Sequence, residues 1–299
     1  MKILVIRLGA LGDFILSFAA FAAIRAQHPD ARITLLTTAP FAALARQAPW
    51  FDRVAVDQRP AWWNPLGIAR LTRRLRGFDR VYDLQTSGRS SAYFCLAGKP
   101  VWSGIAAGCA LPHVNPARDA MHTLERQRDQ LAMAGITAFP RPDLGWLARA
   151  PHPAVPERFA LLVPGAAPHR PEKRWPAERF AAVAEMLRQR DIAPVVVGTA
   201  QDTPLAARIP AAIDLTGRTD LAALAALAAK ARVAVGNDTG PMHLAAALGC
   251  RCIVLFSAAS DPALTAPRGP DGTWPLVLRA NTLAELPVER VAAALPEAA

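Results

Sequence analysis

The residues of this chain whose types and spacing suit chemistry lie in a few short polar stretches. Asn237-Asp-Thr-Gly-Pro-Met-His243 sets Thr239 and Gly240 ahead of Pro241. Proline fits a first helical position, and the unpaired N–H groups and positive dipole end of a helix start attract phosphate. Asp238 and His243 flank this turn without being needed to cap it, which marks them as candidate ligand contacts. The stretch Pro164 to Phe180 carries Lys173 and Arg174 just ahead of another helix, in position to cradle phosphate oxygens; a solvated surface lysine is the plain alternative. Arg7-Leu-Gly-Ala-Leu-Gly-Asp13 places Gly12 and Asp13 at a helix entrance. A carboxylate there is either ordinary dipole-stabilised structure or a general base that accepts the proton of a substrate hydroxyl. A further loop, Gly198 to Thr203, holds Gln201 and Asp202 and ends in a candidate N-cap.

Strands and helices must bring these loops to one edge. Lys2 to Ile6 reads as a strand, Phe14 to Gln27 as a helix and Arg32 to Thr37 as the next strand. A helix near Phe41 to Gln47, a strand near Val54, a strand over Asp79 to Leu84, a helix near Ser90 to Leu96 and a helix over Thr123 to Ala134 continue the pattern. Five prolines between Pro140 and Pro156 suggest a linker. Beyond it strands are expected at Ala160 to Val163, Pro194 to Val197, Arg232 to Val235 and Cys252 to Phe256. Helices are expected at Ala177 to Arg190, Leu221 to Lys230 and Pro241 to Leu248, with a last one near Leu283 to Leu295. The expected fold class is α/β, with two doubly wound domains, 1–150 and 151–299, facing each other across a cleft. In such sheets ligands collect at the carboxyl ends of the strands, where each polar loop above falls.

Composition narrows the partners. With 299 residues the chain is long enough for two domains. Residues 1–150 hold 19 Lys+Arg against 10 Asp+Glu, a net of +9, and residues 151–299 hold 15 against 14, a net of +1. The N-terminal half is therefore expected to face something anionic, either a phosphorylated substrate or an acidic membrane surface. No zinc-ligand pairs, aromatic-rich RNA-binding signature or recognition helix supports nucleic acid as partner. The glycines before Asp13 do not follow Gly-x-Gly-x-x-Gly and no Walker-type loop occurs, which argues against a dinucleotide oxidoreductase or a nucleoside triphosphatase. Cys95, Cys109, Cys250 and Cys252 lack metal-ligand spacing, so no metal site and a reduced, cytoplasmic protein are expected. Asp13 interrupts the apolar run ahead of Phe14 to Ile24, so a signal peptide is not expected. His113, His122, His152 and His169 read as surface or structural groups.

Together these stretches resemble the heptosyltransferase family of bacterial glycosyltransferases. The likeness is carried by Ile6-Arg-Leu-Gly-Ala-Leu-Gly-Asp13, Tyr82-Asp-Leu-Gln85, His122 to Gly135, Lys173-Arg-Trp-Pro176, Leu215-Thr-Gly217, Asn237 to His243 and Phe256-Ser-Ala-Ala-Ser-Asp-Pro262. The resemblance implies a GT-B fold of two Rossmann-like lobes and metal-independent, inverting transfer from a nucleotide-sugar donor, expected to be ADP-heptose, with no cofactor. It implies Asp13 as the base and Lys173 as the group that neutralises the leaving diphosphate. Gly12, Arg174, Gln201, Asp202, Asp238, Thr239, Gly240 and His243 join Lys173 as donor contacts. The N-terminal lobe is implied to take the acceptor, an anionic glycolipid such as lipopolysaccharide core, with Arg59, Arg70, Arg73, Arg74 and Arg89 as unranked candidates. Peripheral contact with the inner face of the inner membrane goes with that acceptor. The chain departs from the family pattern at Ala19, where proline is usual, and in lacking a glycine after Phe256. The competing readings are a sugar-nucleotide epimerase or hydrolase on the same fold and a non-catalytic nucleotide-sugar binding protein.

Overall fold

Ile3, Leu4, Val5 and Ile6 are wholly buried, as are Val233, Ala234 and Val235. A strand buried on both faces needs helices on each side of its sheet, and the chain builds this arrangement twice. The computed structural model describes residues 1–297 and divides into two units, Met1–Pro142 and Asp143–Ala299.

In the first unit the elements run β1 (Lys2–Ile6), α1 (Leu11–Leu16), α2 (Phe18–Gln27), β2 (Arg32–Thr37), α3 (Ala39–Gln47) and β3 (Arg53–Val56). They continue with α4 (Pro65–Leu75), β4 (Arg80–Asp83), α5 (Gly88–Leu96), β5 (Val101–Gly104), β6 (Leu111–Pro112) and α6 (Thr123–Met133). The strands pair in parallel in the order β3-β2-β1-β4-β5-β6. One face of this sheet is packed by Leu4, Ile6, Leu71, Leu75, Val81, Tyr93, Phe94 and Trp102. An aromatic cluster also forms in this unit: Phe14 stacks on Phe41 at 5.1 Å between ring centroids, and Phe21 meets the edge of Phe51 at 5.0 Å.

The second unit runs α7 (Gly145–Ala148), β7 (Phe159–Val163), α8 (Ala177–Gln189), β8 (Ala193–Val196), α9 (Thr203–Ala206), β9 (Ile213–Asp214) and α10 (Leu221–Ala228). It ends with β10 (Val233–Asn237), α11 (Gly240–Ala247), β11 (Cys252–Phe256), α12 (Pro262–Thr265), β12 (Leu276–Arg279) and α13 (Val288–Ala292). Its parallel order, β12-β11-β10-β7-β8-β9, follows the same path from first strand to last as the first sheet does. Each order reverses direction beside its first strand, between β1 and β4 and between β7 and β10. These switch points are where a doubly wound sheet opens a crevice for ligand. The unit boundary falls inside the proline-rich stretch, because Leu147 of α7 is fully buried in a helix that packs against α10 of the second unit.

The helix expected over Phe14 to Gln27 is two helices and begins earlier, at Leu11. Ser17 Oγ donates to the carbonyl of Asp13 at 2.7 Å, and a hydroxyl bonded back to residue i−4 bends a helix. Gln127 Nε2 of α6 donates to the same Ser17 Oγ at 2.9 Å in a buried contact, which fixes the break. The last helix is also shorter than expected, a single 3-10 turn at Leu283–Glu285 followed by α13. Gly236 of β10 is required by close packing: a Cβ there meets Val163 at 2.6 Å and Met242 Sδ at 2.7 Å, so β7 and α11 approach the strand only over a glycine.

Candidate active site

Each switch point carries a charged cluster, and in each unit contacts tie together the two loops that flank the reversal. In the first unit the loop after β1 and the loop after β4 are joined by Arg7 and Gln85. Arg7 is 2 % exposed, and its Nη1 donates to the Leu84 carbonyl at 2.5 Å. Leu8 N donates to Gln85 Oε1 at 2.9 Å. Arg7 Nη2 lies 3.2 Å from Asp13 Oδ1 in an ion pair whose carboxylate is 39 % exposed, so Asp13 is oriented from below and open to a ligand. Burial pulls the Arg7 guanidinium below its ordinary value, and Asp13 is the largest influence opposing that. Asp13 sits in the first turn of α1, with Gly12 beside it. Gly9 makes the turn before them possible: its φ is +131°, and a Cβ would meet the Phe41 ring at 2.9 Å.

Beneath this loop Asp83 is fully buried. Burial pushes its carboxyl up to about 6, against hydrogen bonds from Thr86, Ser90 and Gln85 and the charge of Arg7. Arg126 of α6 feels the charge of Asp13, but burial and the nearby Arg118 act more strongly and lower its value. Arg118 in turn donates to Thr86 Oγ1 at 2.6 Å. Arg7, Arg118 and Arg126 thus make the surroundings of Asp13 positive. Arg7, Asp83 and Arg126 were given no role from the sequence, although all three lie inside the stretches that carried the resemblance. Their burial was the missing information.

The second unit brings five of the expected residues together. Lys173, from the loop after β7, places Nζ 2.6 Å from Asp238 Oδ2 in the loop after β10, and the carboxylate side chain is 6 % exposed. Ser260, after β11, donates through Oγ to the same Oδ2 at 2.7 Å. His243 Nε2 stands 4.0 Å from Asp238 Oδ1. Thr239 is the N-cap of α11 and Gly240 its first residue, so the helix start faces this cluster with N–H groups that have no intrahelical acceptor. Asn237, fully buried, joins the two loops: its Nδ2 donates to the Pro164 carbonyl at 2.8 Å and its Oδ1 accepts from Trp175 N at 3.1 Å. Asn237 and Ser260 received no role from the sequence because their partners lie more than twenty residues away.

Other expected residues take different places. Arg174 turns back, and its Nη2 donates to the Ala166 carbonyl at 3.1 Å. Asp202 accepts from Thr199 N at 2.8 Å and Thr199 Oγ1 at 2.9 Å as a capping box, while Gln201 is exposed beside it. In the first unit Arg59 Nη2 donates to the Leu8 carbonyl at 3.2 Å, on the loop that carries Asp13. Arg89 donates to Tyr93 Oη and to the Pro60 carbonyl, both at 2.7 Å. Arg70, Arg73 and Arg74 are exposed along α4, with Arg74 hydrogen-bonded to the Val56 carbonyl. Of the histidines, His113 is buried with Nε2 2.7 Å from Asp129, and His122 caps α6 by accepting from Leu124 N. Among the described residues, no group of three or more His, Cys, Asp and Glu could hold a metal ion, and no helix is long and apolar enough to cross a membrane.

Two α/β units of matching strand order, each with a charged site at its switch point, define a protein of the GT-B class. The family model for glycosyltransferase family 9 (heptosyltransferase) matches residues 68–285, and the chain belongs to that family. It is 27% identical to lipopolysaccharide heptosyltransferase 2 of Salmonella typhimurium in an alignment covering 95% of this chain and 88% of that one. A putative glycosyltransferase of Haemophilus influenzae is 41% identical over 35% of this chain and 32% of its own. The solved E. coli heptosyltransferase WaaC with ADP is similar in fold, with a TM-score of 0.79 at 22% identity over 97% of this chain and 98% of that one. A glycosyl transferase family 9 structure from Veillonella parvula gives a TM-score of 0.78 at 24% identity, covering 93% and 86%. The protein is a glycosyltransferase.

Proposed function

We propose that this glycosyltransferase moves a heptose or related sugar, with inversion and without a metal, from an ADP-linked donor to an anionic lipopolysaccharide-core acceptor. The observation that carries the reading is the cluster Lys173, Asp238 and Ser260 at the start of α11, built from three loops of one switch point. ADP is the proposed nucleotide because the similar solved structure from E. coli holds it.

The chemistry asks for two things: a base for the attacking hydroxyl and charge stabilisation at the leaving phosphate. Asp13 supplies the first. Its oxygen takes the acceptor proton as the hydroxyl oxygen bonds to the anomeric carbon and the bond from that carbon to the diphosphate breaks. A single displacement of this kind inverts the centre. Arg7 aims the carboxylate, while Arg59 and Arg126 add positive field for an anionic acceptor. Lys173 and the N–H groups of Thr239 and Gly240 take up the charge that grows on the diphosphate, which is where such reactions gain most. Asp238 holds Lys173 in place, and the incoming phosphate takes over that ion pair while Asp238 stays anchored by Ser260.

The test is a transfer assay with ADP-heptose and a soluble core-type acceptor. Asp13→Asn is expected to lower kcat by about 10²- to 10⁴-fold while donor affinity stays within twofold. Turnover of the variant at the wild-type rate would remove Asp13 from the mechanism.

A further inference from the structure

We propose that Asp83 is a positioning residue for the transfer step: it shares Arg7 with Asp13, and its charge sets how much of the Arg7 cation is left to restrain Asp13. This control rests on the reading of Asp13 as the base. Asp83 closes β4 and is fully buried. Its Oδ1 accepts from Gln85 N at 3.1 Å and from Thr86 N at 3.0 Å. Thr86 stands at φ +44°, a left-handed conformation that a residue other than glycine keeps only when its surroundings hold it. The turn pinned in this way carries both grips on the loop after β1: the Leu84 carbonyl accepts from Arg7 Nη1, and Gln85 Oε1 accepts from Leu8 N. The Asp83 side chain therefore fixes where Arg7 stands, and Arg7 fixes where Asp13 points.

Charge links the same three residues. Burial acts first against the charge on Arg7; Asp13 and, more weakly, Asp83 sustain it, and Arg126 opposes them. One cation thus serves two carboxylates, and groups so linked titrate as a set. From the other elements packed on Asp83, α5 brings Ser90 and α6 brings Gln130, which donates to the Asp83 carbonyl at 3.0 Å. The loop after β5 brings Cys109, a thiol pushed up first by burial that also feels the Asp83 charge. Burial pushes the Asp83 carboxyl up to about 6, so its charge changes between mildly acidic and neutral pH. Neutral Asp83 leaves the whole Arg7 cation to Asp13, which weakens Asp13 as a proton acceptor. Ionised Asp83 takes part of that cation and adds a negative charge behind Asp13, which strengthens it. Asparagine at this position keeps an acceptor for the two amides of the turn and stays neutral, so Asp83→Asn separates charge from shape.

The experiment has two arms on the full chain. The first is the pH profile of kcat with ADP-heptose and a soluble core-type acceptor, for wild type and Asp83→Asn. The ratio of wild-type to variant kcat is expected to rise about three- to tenfold between about pH 5 and pH 7.5, while donor KM stays within about twofold in both proteins. The second arm needs no turnover: carboxyl 13C NMR of aspartate-labelled protein, with the Asp83 resonance assigned by its loss in Asp83→Asn. In Asp13→Asn, which leaves Arg7 to its other partner, Asp83 is expected to titrate at lower pH than in wild type. A purely structural Asp83 moves neither readout. A flat kcat ratio, or an Asp83 titration that Asp13→Asn does not move, overturns the proposal and leaves the transfer reading standing. Turnover by Asp13→Asn at the wild-type rate removes the base itself, and the role of Asp83 falls with it.

Discussion

At the residue scale, the two charged clusters differ in what lies beneath them. Asp238 is held by Lys173 and Ser260 in one layer, whereas Asp13 is held by Arg7 and Arg7 stands above the buried Asp83. Asp83 gives this arrangement a pH signature. Its carboxyl is raised from the usual 3.8 to about 6, so the folded state binds its proton more tightly than the unfolded chain does. The resulting contribution to stability is complete below pH 3.8 and is lost as pH rises through 6. Urea unfolding of wild type and Asp83→Asn should therefore show the wild type losing stability, relative to the variant, between pH 4 and pH 7. The difference is about 3 kcal/mol at most. Parallel pH profiles for the two proteins would contradict the assignment. Asp13, Lys173, Asp238 and His243 were legible in the sequence because motif and loop position name them. Arg7, Asp83, Asn237 and Ser260 were not, because their roles depend on burial and on partners far along the chain.

At the element scale, the long strands and the helices that follow them were legible, since apolar runs and caps mark them locally. The first helix was legible only as one piece: the break at Ser17 depends on Gln127, supplied by α6 from the far end of the unit. The segment that became α4 had no structural assignment at all. Its arginines were visible, but the buried stripe of Leu71 and Leu75 is narrow and says little until the sheet it covers is known. The short strands β6 and β9 have two residues each, too few for any period to show. Gly236 belongs to this scale as well, because it sets the distance between β7, β10 and α11. Gly236→Ala forces a methyl group against Val163 and Met242 and should cost about 1–3 kcal/mol in equilibrium unfolding. The same change moves the start of α11, so donor affinity should fall with it. A variant as stable as wild type would mean that the close approach is not needed.

For the whole molecule, one strand order recurs in both sheets, and each unit carries one charged cluster at its switch point: Arg7 with Asp13 in the first, Lys173 with Asp238 at the start of α11 in the second. On the proposed reading the first cluster supplies the base and the second the charge that stabilises the leaving phosphate. The charge split follows the same line, with the excess of arginine in the half proposed to meet an anionic acceptor. The central claim is that the second unit binds the diphosphate of an ADP-linked donor through Lys173 and the start of α11. The most direct test is a thermal-shift comparison of ADP, UDP, GDP, dTDP and CMP, in chelator, on wild type, Lys173→Ala and Asp13→Asn. At a hundred times its Kd a ligand that binds only the folded state stabilises by about 2.7 kcal/mol, an easily measured shift. The account predicts selective stabilisation by ADP in wild type and Asp13→Asn, and its loss in Lys173→Ala. An equal shift in Lys173→Ala, or no response of the wild type to any of the nucleotides, would contradict it.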